Sequence, residues 1–321
     1  MHAFTYDDPE QNGENDTFGL SWYWKGFTRA NEAFSTIFGA YGIPKFRPIE
    51  VDGKVTTWVK HPKFLEAMKY IKSLIDDGVC EPEYMTIAEN DAFGKLWNGV
   101  SGAIEWECVG PTNNWMPGRY TEDPAPTFDF AVLTGPDGEY GTAAVYPTYS
   151  EGWAFSSTCK NLEGAAKLAN FCMSEEGSEL LRLGIEGVMW QWVDKENGQI
   201  EYLGEYADSA TIRVNGGYVY WQMFTPKNNA QDRTLNKQTQ EGVALARSVM
   251  IDWVNIQEEL ESRNLYGADM DQVINEMPAE LFTTDVDEME DVYQEYITEW
   301  ENVGGKAWED EITAIWVAQN K

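Results

Sequence analysis

Apolar residues recur along this chain with two different periods, and each period predicts an element. In "HPKFLEAMKYIKSLIDDGV", Phe64, Met68, Ile71 and Ile75 follow one another at three- and four-residue steps. That spacing lines one face of an α-helix, and Gly78 supplies its stop. A second helix is predicted from Glu89 to Trp97. After it, "GVSGAIEWE" reads as a glycine-bounded strand, and "FDFAVLTGPDGEYGT" as a strand running into a Pro-Asp-Gly turn. "GWAFSS" reads as a further strand. The stretch "NLEGAAKLANFCMSEEGSELLRLG" reads as two helices broken near Ser174, with Asn161 and Ser174 as N-caps. From 232 to 321 the pattern is helical. There Asp285 and Glu288 suggest a capping box for "VDEMEDVYQEYITEW", and Gly304-Gly305 ends it. Strands separated by helices indicate the α/β class. No internal repeat or low-complexity linker interrupts the pattern.

Composition bounds what this pattern can be. A chain of 321 residues with 43% hydrophobic content can bury one large core or two ordinary ones. A formal charge of -31 argues against nucleic acid or an anionic membrane surface as partner. Fourteen Trp and 16 Tyr set the chain apart from acidic disordered sequences, which are poor in aromatics. Cys80, Cys108, Cys159 and Cys172 show no C-x-x-C spacing, which leaves free thiols or one disulfide rather than a zinc or redox site. No apolar run reaches 18 residues, and "MHAFTYDDPE" carries no signal peptide. No strand or helix start precedes the acidic loop that follows, so the sequence reads as if more polypeptide belonged ahead of it.

Candidate chemistry is sparse. With only His2 and His61, Ser-His-Asp and Cys-His catalysis are disfavoured, and His61 reads as a cap at a helix start. No phosphate-cradling glycine loop is present. Glu105 and Glu107 in "IEWEC" lie two apart on a predicted strand and could form a carboxylate pair of the glycosidase kind, although such pairs arise by chance among 54 acidic residues. Aromatic clusters at 22–24, 106–115, 146–153, 189–192 and 218–224 provide core, and beside turns, Asn and Thr they suit a groove that stacks rings and hydrogen-bonds hydroxyls. The loop "DDPEQNGENDTFGL" offers oxygens from Asp8, Glu10, Asn12 and Asp16 at positions 1, 3, 5 and 9 with Gly13 at 6, which is EF-hand spacing. Position 12 is Gly19, where a bidentate Glu would close the shell. The loop is a calcium site, a decayed one, or an acidic turn.

The order of these pieces resembles the extracellular solute-binding proteins of family 1, the substrate receptors of ABC importers, and especially their larger lipoprotein branch. The segments that carry the likeness are the acidic loop, "LIDDGVCEPEY", "AFGKLWNGVSGAIEWE", "VLTGPDGEYGT", "YSEGWAFSSTCKNLEGAAKLANFCMSEEGSELLRLGIEG" and "VDEMEDVYQEYITEWENVGG". The resemblance implies a periplasmic-binding-protein-like type II fold with two α/β lobes and ligand held between them. It assigns residues 1–147 to the second lobe, 148–213 to a hinge crossing and a remnant of the first lobe, and 214–321 to the return. It also implies that most of the first lobe is lacking. In the alginate-binding members a calcium sits in a comparable loop, and its ligands carry over to Asp8, Glu10, Asn12, the Glu14 carbonyl, Asp16 and Thr17.

The function this implies is capture of an oligosaccharide or similar polyhydroxylated ligand for an ABC permease, by an extracellular protein anchored as a lipoprotein in its full-length form. Trp106, Trp115, Tyr149 and Trp153 are the expected stacking faces, with Glu107, Asn113, Asn114 and Glu151 beside them for hydroxyls. The competing readings are a carbohydrate-active enzyme and a calcium-stabilised interaction domain. Without first-lobe partners, Leu168, Phe171, Leu180, Leu181 and Leu183 are expected to face water and to promote self-association.

Overall fold

The computed structural model describes residues 1–23, 34–106, 128–138, 140–141, 154–196, 198–207, 211, 214–215 and 236–320. The chain divides into two compact units, one made of residues 1–145 with 242–321 and the other of residues 146–241. The second thus includes residues 214–241, which the sequence reading grouped with the C-terminal return.

In the first unit, helix α1 (His2–Tyr6) precedes the acidic loop, and α2 (Ser35–Ala40) follows it. A hairpin of β1 (Ile49–Val51) and β2 (Lys54–Thr56) pairs Ile49 with Thr56 and Val51 with Lys54. Its tip, Asp52-Gly53, has φ of 51° and 79°, the two positive values that a tight hairpin turn needs. The predicted amphipathic helix is α3 (Phe64–Asp76), and it buries Phe64, Ala67, Met68, Ile71 and Leu74. The second predicted helix is α4 (Glu89–Trp97), with the expected ends.

Strand expectations fared less well. "GVSGAIEWE" forms no regular strand. Ser101 and Ile104 instead make single parallel bridges to Phe18 and Ser21, while Leu20 bridges to Cys80. "FDFAVL" is irregular up to a bridge between Thr134 and Tyr140, which encloses the expected Pro-Asp-Gly turn. Residues 154–156 of "GWAFSS" are not strand either.

The C-terminal part of this unit is three helices, after α7 (Lys237–Ser248) has led into it: α8 (Glu261–Thr283), α9 (Met289–Trp300) and α10 (Lys306–Gln319). The Asp285–Glu288 capping box does not form. The Glu288 amide bonds the Asp285 carbonyl at 2.9 Å, making a backbone turn, and no side chain caps α9. Gly304 ends the helical run, as predicted. Between α9 and α10 lies one wide turn, Glu301–Gly305, in which Gly304 adopts φ 132°. Glu311 on α10 accepts the backbone N–H groups of Glu261 and Ser262 at 2.9 Å each, so it caps α8 across space. Lys72, buried on α3, donates to the Phe282 carbonyl at 3.1 Å, in the last turn of the same helix. The core gathers Phe38, Trp58, Phe64, Met68, Ile71, Met277, Leu281 and Met289.

In the second unit, α5 (Leu162–Cys172) and α6 (Glu175–Leu183) start where predicted. Asn161 Oδ1 accepts the Gly164 amide at 2.9 Å, and Ser174 Oγ accepts that of Gly177 at 3.0 Å. The hairpin β3 (Trp190–Asp194) and β4 (Gln199–Tyr202) follows. Leu168, Phe171 and Leu180 are exposed, as expected. Leu181 is half-buried, and Leu183 departs from expectation: it is fully buried against Met189 and Trp190 of the hairpin. Cys80 and Cys172 are buried free thiols, and burial pushes Cys80 up to about 12, while Cys159 is free and exposed. Among the described residues no helix is long and apolar enough to cross a membrane.

Candidate functional site

The acidic loop is built around Asp8. Its carboxylate accepts the Asn12 amide at 3.0 Å and the Gly13 amide at 2.8 Å. Three residues take positive φ to bring these groups round, namely Asp8 at 46°, Gln11 at 54° and Gly13 at 82°. Asp and Gly tolerate this region, so the strain is modest. Asn12 occupies the middle of the loop: Nδ2 lies 3.3 Å from both Glu10 Oε2 and Asp16 Oδ2, and Oδ1 accepts the Glu14 amide at 2.7 Å. Thr17 is buried, and its hydroxyl donates to the Phe4 carbonyl at 2.7 Å, which ties the loop to α1.

Gly19 has its own explanation. A Cβ there would meet the Met1 Cβ at 2.6 Å, so the position that an EF-hand gives to Glu is here occupied by the N-terminal helix. The donors are the hard oxygens that calcium takes, but the Asn12 amide separates the carboxylates. Among the described residues no three carboxylate, imidazole or thiolate groups converge tightly enough to hold an ion. Turning the Asn12 amide so that its oxygen faces Glu10 and Asp16 would replace two donors by one acceptor.

Trp106 is the one member of the expected stacking set that lies within the described residues. Glu107, Asn113, Asn114, Trp115, Tyr149, Glu151 and Trp153 lie outside them. The Trp106 ring is half-buried and packs on Tyr23 at 5.6 Å and edge-on against Phe93 at 5.2 Å, within a cluster that includes Trp97 and Phe128. Such packing fixes the indole with only two side-chain torsions to order.

Glu105, next to it, points the other way. Its carboxylate receives the backbone N–H groups of Thr36 and Ser35 and the Ser35 hydroxyl, at the start of α2, with Lys45 close by. Helix α2 has no side-chain cap of its own, so Glu105 supplies the negative group its N-terminus favours. Burial pushes the Glu105 carboxyl above the usual range, and Lys45 with the α2 amides opposes that. Lys45 itself is fully buried and donates to Ser35 Oγ at 3.4 Å. A carboxylate committed to a helix start is poorly placed to be half of a catalytic pair. Sequence reasoning missed both Lys45 and the α2 contact, because the partners are some 60–70 residues away in the chain.

No protein-family model matches the chain. Among curated proteins, the fructooligosaccharide ABC transporter substrate-binding protein FusA of Streptococcus pneumoniae is 28% identical over 175 residues, covering 52% of this chain and 30% of the relative. The polygalacturonan/rhamnogalacturonan-binding protein YtcQ of Bacillus subtilis is 27% identical over 194 residues, covering 58% of this chain and 37% of the relative. The matched stretch therefore spans well under half the length of either relative. Among solved structures, S. pneumoniae FusA in complex with kestose superposes with a TM-score of 0.65 at 20% identity, covering 100% of this chain and 67% of that one. The alginate-binding protein AlgQ2, solved without calcium ion, gives 0.62 at 16% identity, covering 98% of this chain and 66% of that one. An EF-hand mutant of FusA gives 0.64. At these identities the structural likeness is one of fold: the chain is folded as the solute-binding proteins are, in the periplasmic-binding-protein-like manner the sequence suggested. Both curated relatives are named as carbohydrate-binding proteins, and FusA as the substrate-binding protein of an ABC transporter.

Proposed function

We propose that the chain serves as the substrate-binding component of an ABC importer, capturing an oligosaccharide or similar polyhydroxylated ligand without transforming it. The homology to FusA over 175 residues carries this reading. Two features of the site support it: a rigidly packed, half-exposed Trp106, suited to stacking on a sugar ring, and a Glu105 committed to a helix start. Glu107, Asn113, Asn114, Trp115, Tyr149, Glu151 and Trp153 complete the proposed ligand face. The partner is a membrane permease, and the place of action is the outer face of the cell, with a lipid anchor in the full-length protein.

Calorimetric titration with fructo-, galacturono- and mannurono-oligosaccharides tests the reading, with Trp106→Ala as the variant. Saturable heats that fall at least about tenfold in affinity in Trp106→Ala support it; removing a stacked aromatic costs on the order of 1 kcal/mol or more. Absence of binding to the whole panel, or release of reducing sugar on incubation, refutes it.

The loop at residues 8–17 is a structural calcium site in this proposal, held by Asp8, Glu10, Asn12, the Glu14 carbonyl and Asp16, with Thr17 anchoring the loop's end. A cation at that point would neutralise carboxylates that now share one amide. Chelator then lowers the melting temperature, and Asp16→Ala removes the sensitivity. Identical melting with calcium and with chelator would dispose of the site.

A further inference from the structure

A second candidate site lies wholly within the first unit and uses none of the residues assigned above. A cavity of about 270 Å³ is walled by Trp58, Met270, Ile274, Trp300 and Trp308, with Phe46 also lining it. This is close to the small end of ligand pockets, room for one ring rather than a chain of them. Polar groups are set into the same wall: Arg47, Thr57, Arg263, Asp271 and Asn275.

Two observations distinguish this cavity from a packing defect. The first is Phe46, a large side chain that is 40% exposed at a backbone φ of 68°. A bulky residue in this left-handed region is strained, and such strain persists where something over-determines it. The second is charge. In a chain of net charge -31, two of the four arginines among the described residues line this one cavity.

The polar groups are also held in fixed directions. Arg263 clamps Asp271 through two contacts of 2.9 and 2.7 Å, which presents a donor and an acceptor side by side with no net charge. Arg47 is stacked on the Trp253 ring at 4.6 Å, so its guanidinium plane is fixed. Trp300 and Trp308 stand edge to face at 6.0 Å, giving one flat wall and one edge.

Aromatic walls, a paired donor and acceptor, and an amide match a ring with apolar faces and a rim of hydroxyls. An anion alone would leave the aromatic walls and Asp271 without use, and a purely apolar ligand would leave the Arg263–Asp271 pair and Asn275 without use. We infer that this cavity binds a single polyhydroxylated ring, a monosaccharide or a compound of that shape, as a site distinct from the Trp106 face.

The test is titration of the full chain with glucose, galactose, fructose and galacturonate, read by tryptophan fluorescence and by saturation-transfer NMR. Saturable binding of at least one is expected, with Kd on the order of 1 mM. Phe46→Gly is the decisive variant, because glycine relieves the backbone strain while removing the ring. It is expected to melt at the same temperature or higher, and to bind at least about tenfold more weakly. Asn275→Ala, on the helix wall, is expected to weaken binding by a similar factor. No binding of any of the four to the wild-type chain overturns the inference, as does binding that both variants leave unchanged. Because neither variant touches Trp106 or the acidic loop, oligosaccharide capture can fail or succeed independently of this result.

Discussion

Lys60 shows how one side chain can be required by its neighbours. It lies 2.7 Å from Glu301 and 2.9 Å from Glu309, over the Trp300 ring, and its own side chain is largely buried. Burial pulls its pKa down, but the hydrogen bonds and charges of Glu301 and Glu309 outweigh that and hold it above its ordinary value of 10.5. A lysine raised by folding adds stability that is fully present below its unfolded pKa and is lost as pH climbs through the folded one. Melting curves from neutral to strongly alkaline pH should therefore show a loss in the wild-type protein above that ordinary value. Lys60→Met should lack this component and lose about 2 kcal/mol at neutral pH, since two carboxylates are left facing each other. The caps give a cleaner residue-scale case. Asn161→Ala and Ser174→Ala should each cost about 1 kcal/mol, read as faster amide exchange in the first turns of α5 and α6.

At the scale of elements, the wide turn at Glu301–Gly305 decides where α10 goes. Gly304 combines φ 132° with a Cβ position 2.3 Å from the Tyr266 Cβ, so both its backbone and its lack of a side chain are needed. Gly304→Ala should destabilise by roughly 3 kcal/mol or more through combined strain and overpacking, measured by chemical denaturation. Gly13 is the control: its φ is 82° but nothing lies within 4 Å of an added Cβ, so Gly13→Ala should cost only about 1 kcal/mol. Helices α3, α4, α5 and α6 were legible because their apolar spacing and caps are local signals. The "GVSGAIEWE" segment was not, since its partner is the Phe18–Ser21 stretch some 80 residues earlier and only isolated bridges form. The capping box failed for a related reason: the turn at Asp285–Glu288 is closed by backbone groups, leaving nothing for the side chains to cap.

For the whole molecule, two opposing terms govern association. Leu162, Leu168, Phe171, Met173 and Leu180 are exposed on the α5–α6 hairpin, a set of apolar side chains of the kind that recruits partners. The charge of -31 repels one copy from another, and salt screens that repulsion within about 10 Å at 0.1 M. Sedimentation should accordingly show self-association that strengthens with added salt, and the double variant Leu168→Ser, Phe171→Ser should abolish it. A monomer at every salt concentration would rule out a sticky hairpin.

What the sequence determined by itself was whatever depends on neighbours a few residues apart: the apolar faces of the helices, the caps at Asn161 and Ser174, the acidic loop's spacing and the family resemblance carried by motifs in order. Tertiary structure alone decided what depends on residues distant in the chain. It set the N-terminal helix against Gly19, turned Glu105 onto the start of α2, buried Leu183 under a hairpin, and gathered Phe46, Arg47 and Trp58 with Arg263, Trp300 and Trp308 around one cavity. The physical reason is range. Local periodicity is written into the order of side chains, whereas a cavity wall or a cap across space exists only once burial of the core has fixed which distant segments touch.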